Sequence, residues 1–289
     1  LYVQTGYVRN YGFEAMLAYN HRWGDFGWDT SFTYSTNKNE IVELVRNYVH
    51  PETGVIYNVD KLELKTNEGR GFGKAKFILK EGGTLGDLYT HADLKRDING
   101  NVLIDDDGNV TAVDNAGDIK LGSVLPKANL AWNNSFTYKG INAGFLVTAR
   151  LGGIVYSATQ AYLDLYGVSE TSAAARDAGG VWVNDRSQVN PQSFYSVVAS
   201  QSGLPTYYTY SATNVRLQEA HIGYTIPRRW LGNVCDINVS LVGRNLWMIY
   251  CKAPFDPEAV ATTNNYYQGI DYFMMPSTRN IGFNIKINF

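Results

Sequence analysis

The segment Arg279–Phe289, RNIGFNIKINF, alternates without exception. Ile281, Phe283, Ile285, Ile287 and Phe289 fall on one side, and Asn280, Gly282, Asn284, Lys286 and Asn288 on the other. Successive side chains of an extended chain point to opposite faces, so this is a β-strand with one apolar and one polar face. The pattern recurs along the chain. FGWDTSFTYS sets Phe26, Trp28, Phe32 and Tyr34 against Asp29, Ser31, Thr33 and Ser35. NLAWNNSFTYKG sets Leu130, Trp132, Phe136 and Tyr138 against Asn133, Ser135, Thr137 and Lys139. INAGFLVTAR and CDINVSLVGR do the same, and near the start Tyr7, Tyr11, Phe13, Ala15, Leu17 and Tyr19 share a face. In NVRLQEAHIGYTIP the phase slips by one residue near Glu219, as a β-bulge imposes.

Nine strands are expected, at 5–21, 26–45, 72–80, 85–94, 128–139, 141–157, 212–226, 235–250 and 279–289. Several exceed the usual strand of about five or six residues and reach the roughly 9–11 that cross a bilayer. Connections at 22–25, 81–84, 139–140 and 227–234 are short; those at 46–71, 95–127, 158–211 and 251–278 are long. Strict alternation of the two kinds puts every short turn at one end of an up-and-down sheet, the asymmetry of outer-membrane barrels.

The polar faces decide between membrane and water. They carry amides, hydroxyls and glycine, and only 18% of the chain is charged. A soluble sandwich exposes a more charged outer face, whereas uncharged polar groups suit a wet lumen. No run of 18 apolar residues occurs, and none is needed, because lipid-facing and lumen-facing residues cancel along each strand. Trp23, Trp28, Tyr138 and Trp230 lie beside short turns, where aromatic side chains mark a membrane–water interface. The expected fold is therefore all-β: a transmembrane antiparallel up-and-down β-barrel. Nine strands with open edges imply the C-terminal portion of a larger barrel. A small autonomous outer-membrane pore or adhesin, and a secreted carbohydrate-binding β-sandwich, stay open as alternatives.

Motifs for chemistry are lacking. There is no H-E-x-x-H or G-x-S-x-G, and GRGFGKAKF puts Lys74 where a G-x-G-x-x-G loop needs glycine. His21, His50, His91 and His221 are scattered, with His221 expected to face the lumen. Taking Gly108 as the sixth position of a calcium loop puts Leu103 at position one, so Asp105, Asp106 and Asp107 read as a solvated turn. No catalysis, cofactor or metal is expected. Cys235 and Cys251 flank one strand, which at about 3.3 Å per residue holds them roughly 50 Å apart, far beyond disulfide reach. A net charge of −2 with no basic stripe argues against nucleic acid.

Binding candidates are of two kinds. The loops concentrate Tyr162, Tyr166, Trp182, Phe194, Tyr195, Tyr207, Tyr208, Tyr210, Tyr266, Tyr267 and Tyr272, large rigid rings suited to stacking on sugars or packing on a protein. Arg150 and Arg244 are assigned to the lumen, since a lipid-facing arginine at the bilayer midplane costs about 2–4 kcal/mol.

Four blocks in order, NVRLQEAHIGYTIPRRWL, VSLVGRNLWMIY, FDPEA and PSTRNIGFNIKINF, resemble the C-terminal end of SusC/RagA-type TonB-dependent outer-membrane transporters of Bacteroidota. Upstream, VRNYGFEAMLAY, FGWDTSFTYSTNKNEIVEL, KEGGTLGDLY and GDIKLGSVLPKANLAWNNSFTYKG resemble the same family, so the likeness covers essentially the whole chain. It implies the last nine strands of a 22-stranded barrel, with the family's signal peptide, TonB box and plug domain absent from these residues. It further implies TonB-driven import of an oligosaccharide or oligopeptide beneath a SusD-like surface lipoprotein lid. Long loops would be extracellular and short turns periplasmic, with Phe289 read by the barrel-assembly machinery. The loop YTHADLKRDINGNVLIDDDGNV is only loosely like the family's Asp/Asn/Gly-rich loop.

Overall fold

A computed structural model describes residues 6–64, 74–185, 187–262 and 268–289. Seven long strands form one antiparallel wall: β1 (Tyr7–Trp23), β2 (Phe26–Glu43), β3 (Ala128–Tyr138), β4 (Ile141–Leu151), β5 (Asn214–Ile226), β6 (Asp236–Cys251) and β7 (Asn280–Asn288). Each pairs with its neighbours in chain order, the up-and-down topology expected of a barrel. No helix among the described residues is long and apolar enough to cross a membrane.

The pairing register lines up the two faces. One row runs Phe283–Leu241–Ile222–Ala143–Phe136–Trp28 across six strands. The row beside it, on the other face, runs Asn284–Ser240–Gly223–Asn142–Thr137–Gly27. Leu17, Ile222, Leu241, Ile281 and Phe283 are all exposed, so the apolar row is an outer surface and not a core. Large aliphatic and aromatic side chains left open on one whole face need lipid or protein around them. The expected phase slip is present: β5 shifts register between Leu217 and Glu219 against β6, and β4 shifts opposite it between Leu146 and Val147. Close packing fixes the polar face at Gly144, where a Cβ would sit 2.6 Å from His221 Cε1 and 2.7 Å from the Asn134 carbonyl oxygen. His221 thus lies on the polar face, as expected.

Two of the nine expected strands are not in the wall. Ala75–Lys80 and Asp87–Thr90 form a separate four-stranded sheet with Lys61–Glu63 and Ile119–Ser123. Phe77 and Ile78 are neighbours in sequence yet both are buried, so this segment is covered on two sides. The turn at 81–84 is consequently not a wall turn; it returns to the end of β2, where Ile41 N–H donates to Gly83 O and Gly82 N–H to Ile41 O, both at 2.8 Å. The wall has three long connections, 44–127, 152–213 and 252–279, and three short turns at its opposite end.

The long connections fold together. Ile154–Ser157 pairs with Thr209–Ser211 in its own loop and in parallel with Ile270–Asp271 of the next. A single hydrophobic cluster draws Phe77, Leu88 and Val110 from the first connection, Tyr156, Phe194 and Leu204 from the second, and Ile270 from the third. Helices α1 (Ala158–Leu165), α2 (Glu170–Asp177) and α3 (Pro191–Val198) pack into it. Ser157, Ser169 and Asn190 cap their first turns, and Pro191 opens α3 where no N–H partner is needed. The long loops are a structured cap on one end of the wall.

Candidate functional site: the loop cap and the polar face below it

The cap is tied to the wall by polar clasps at the rim of the polar face. Asn39, buried, donates its amide to Asn10 Oδ1 at 2.8 Å and accepts the Leu85 N–H at 2.7 Å. Arg150 donates to the Val124 carbonyl at 2.9 Å. It lies on the polar face, and its Nη2 partner is cap backbone. Arg244 also lies on the polar face and pairs with Glu219 at 3.0 Å, across the bulge.

A denser clasp holds the third connection. Arg216 of β5 grips Asp256 through two nitrogens, at 2.8 and 3.2 Å, and Glu258 at 3.2 Å. Asn214 bridges the pair, donating to Glu258 and accepting from Arg216 Nε, each at 3.2 Å. Burial opposes ionisation of Asp256, but hydrogen bonds from Arg216 and Ser277 outweigh it and hold the carboxyl below the usual range. Sequence reasoning assigned no role to these residues, although FDPEA contains both acids.

The loop aromatics divide sharply. Tyr208 is 2% exposed and donates its hydroxyl to Asp164 at 3.0 Å. Phe194 and Tyr195 are buried with it, and Tyr210 meets Phe255 edge-on at 5.5 Å. Burial pushes the Tyr210 phenol up to about 12 and raises Tyr208 as well, with the Asp164 charge adding to both. These rings build the cap. Tyr162 packs on Phe273 and Tyr272 at ring distances of 5.4 and 6.4 Å. Tyr166 and Trp182 stand out at 74% and 63% exposure, and Tyr207 is borderline. Tyr266 and Tyr267 lie outside the described residues.

The acidic turns serve structure. Asp105 accepts the N–H groups of Asp107 at 3.1 Å and Asn109 at 2.7 Å. Asp97 repeats this eight residues earlier with Asn99 at 2.8 Å and Asn101 at 2.9 Å. Among the described residues no group of three or more His, Cys, Asp or Glu side chains could hold a metal ion. Cys235 and Cys251 are free thiols.

No family model matches the chain. TonB-dependent receptor P3 of Formosa agariphila is 25% identical over 97% of it, and TonB-dependent receptor P39 of the same organism is 22% identical over 98%. Both relatives are named TonB-dependent receptors, and the likeness runs over nearly the whole of this chain. The chain spans 29% and 30% of the length of those two proteins. Among solved structures, the RagAB peptide importer in the closed-closed state superposes over 98% of this chain and 30% of its own, with a TM-score of 0.64 at 17% identity. The RagAB peptide transporter gives a TM-score of 0.61 at 16% identity over 98% of the chain and 29% of its own. Those likenesses carry the fold, and the seven-stranded wall with its loop cap is part of a barrel.

Proposed function

We propose that this chain is C-terminal barrel wall and loop cap of a TonB-dependent importer in the outer membrane of a Gram-negative bacterium. The observation that carries the reading is the division of one sheet into an exposed apolar face and a polar face whose mouth is roofed by three co-folded loops. Lipid covers the first, and the second lines the path of a large nutrient, an oligosaccharide or an oligopeptide. Long loops face outward and short turns face the periplasm.

The homology supports the transporter class, and the match to RagAB supports pairing with a SusD-like surface lipoprotein that closes over the cap. The exposed Tyr166 and Trp182 are the aromatic contacts available to that lid or to cargo. Energy arrives through TonB at a part of the receptor outside these residues, and the exposed Phe289 is presented to the barrel-assembly machinery. None of this is catalysis: the chain supplies walls, not reacting groups.

The test is uptake of fluorescently labelled oligosaccharides and oligopeptides by cells carrying or lacking the whole receptor. Import that stops on loss of the receptor, of TonB or of the proton gradient is the expected result. Unchanged uptake of every labelled class, with the chain recovered in the soluble fraction, overturns the reading.

A further inference from the structure

At the cap end of the wall's outer face, four side chains form a compact polar block. β1 and β2 pair Arg9 with Glu40 and Tyr11 with Lys38, and the row below them is Phe13–Thr36. Arg9 donates through Nη2 to Glu40 at 2.9 Å. The Tyr11 ring carries two cations, the Arg9 guanidinium carbon 5.8 Å and the Lys38 ammonium 5.5 Å from its centre. Two cations thus stand with one acid, and Arg9, Tyr11 and Lys38 are all exposed. Their sequence neighbours settle which face this is. Asn10 and Asn39 point the other way, into the clasp that ties the cap to the polar face. Phe13 and Tyr34 meet at a ring distance of 6.3 Å and continue the outer face downward.

Strand geometry gives the height of the block. From Phe13–Thr36 down to Trp23–Phe26 at the first short turn, the outer face is mostly rings and aliphatic side chains. At about 3.3 Å per residue and a tilt of about 40°, that stretch of β1 rises about 25 Å, the height of a barrel's lipid-facing band. Threonine hydroxyls within it are spent on backbone, Thr36 donating to the Lys127 carbonyl at 2.7 Å and Thr30 to the Asn133 carbonyl at 3.1 Å. Tyr11–Lys38 and Arg9–Glu40 are the next two rows, about 5 and 10 Å beyond the band. Headgroups occupy about 5–8 Å beyond the hydrocarbon on each side, so the block meets headgroups and not acyl chains.

We infer that Arg9 and Lys38 hold a phosphate group of an outer-leaflet glycolipid, lipid A, whose acyl chains lie on the exposed Phe13 and Leu17 below. Nη2 of Arg9 is taken by Glu40; the other guanidinium nitrogens and the Lys38 ammonium are the groups assigned to the phosphate, where charge-assisted bonds are strong. The choice of leaflet rests on the outward orientation of the long loops proposed above; the phosphate site itself requires no import activity.

Native mass spectrometry of the detergent-solubilised whole receptor tests the site, with lipid A, enzymatically dephosphorylated lipid A and phosphatidylglycerol as probes. Lipid A is expected to remain bound after detergent is stripped, and its dephosphorylated form to bind more weakly. Lys38→Gln is expected to weaken lipid A binding about fivefold, the worth of one cation beside an anionic headgroup, and the double change with Arg9→Gln to abolish the preference for phosphate. Glu40→Gln removes the one acid and is expected to strengthen binding, a change of sign that lost packing would not produce. No binding of lipid A, equal binding of its two forms, tighter binding of phosphatidylglycerol, no effect of Lys38→Gln, or weaker binding in Glu40→Gln overturns the assignment. Heat-modifiable gel mobility shows that each variant barrel is folded. Loss of the import reading in the uptake assay, with lipid A binding intact, leaves the site standing.

Discussion

The indole N–H of Trp28 donates to the side-chain carbonyl of Asn134, one strand away, at 3.1 Å. Asn134 breaks the apolar face of β3, between Trp132 and Phe136, and is only 2% exposed. The tryptophan covers it and satisfies its oxygen, so the face presents an aromatic surface where the sequence places an amide. One strand position further on, Thr30 is treated alike, accepting from the Trp132 indole at 3.1 Å.

Trp28→Phe keeps an aromatic side chain but strips Asn134 of its donor. The expected loss is about 1–3 kcal/mol, the cost of an unsatisfied buried polar group. Urea titration in detergent, read by heat-modifiable gel mobility, measures it. The Asn134→Leu change in the same background is expected to restore stability, because the amide nitrogen already lacks a partner.

Arg216→Ala leaves Asp256 and Glu258 without their common cation. Breaking a buried pair costs about 3–5 kcal/mol, and it is expected here as local release of residues 252–262 with the wall intact. Hydrogen exchange mass spectrometry separates the two outcomes. The same clasp carries a pH dependence. The Asp256 carboxyl is held below its usual range, so its contribution is complete above the unfolded value of about 3.9 and fades as pH falls through the folded value. Protection of that loop is expected to drop only in acid, and the drop should vanish in Asp256→Asn.

At the other extreme, buried Tyr208 and half-buried Tyr210 resist ionisation because both are desolvated near Asp164. A raised phenol stabilises the fold fully below its unfolded value of about 10 and loses that contribution as pH climbs toward the folded value. For Tyr210 the window closes at about 12. Phenolate absorbance is expected to rise in two stages, with exposed tyrosines titrating first and a later step that coincides with loss of cap structure.

Asn184 joins two connections by imitating a strand: its side chain donates to Val102 O at 2.7 Å and accepts Val102 N–H at 2.8 Å. Asn184→Ala removes both bonds. A loss of about 1–3 kcal/mol in cap stability is expected, seen as faster proteolysis within 95–113 and no change in the wall.

The wall was readable because alternation is a local signal that β7 or β4 shows without help from its neighbours. Ala75–Lys80 shows a similar alternation, with Ala75, Phe77 and Leu79 on one side and Lys76 and Lys80 on the other, and nothing local says which sheet it joins. Ile78, on the lysine side of that pattern, is fully buried because a second layer covers it. Rings such as Tyr195 and Tyr208 look alike in sequence to Tyr166, and only the cap's packing separates core from surface. The helices did leave signals, Ser157, Ser169 and the Asn190–Pro191 pair, within loops whose aromatics are the more conspicuous feature. Arg216 and Asp256 lie 40 positions apart, and no spacing rule joins them.

Which face of the wall meets lipid is the claim on which the rest depends, and the last strand tests it. Spin labels placed singly at Phe283 and Asn284 of the whole receptor in bilayers report access to dissolved oxygen, enriched in lipid, and to a water-soluble nickel chelate. High oxygen and low nickel access at 283, reversed at 284, is predicted. Equal nickel access at both positions, or the opposite order, contradicts the account.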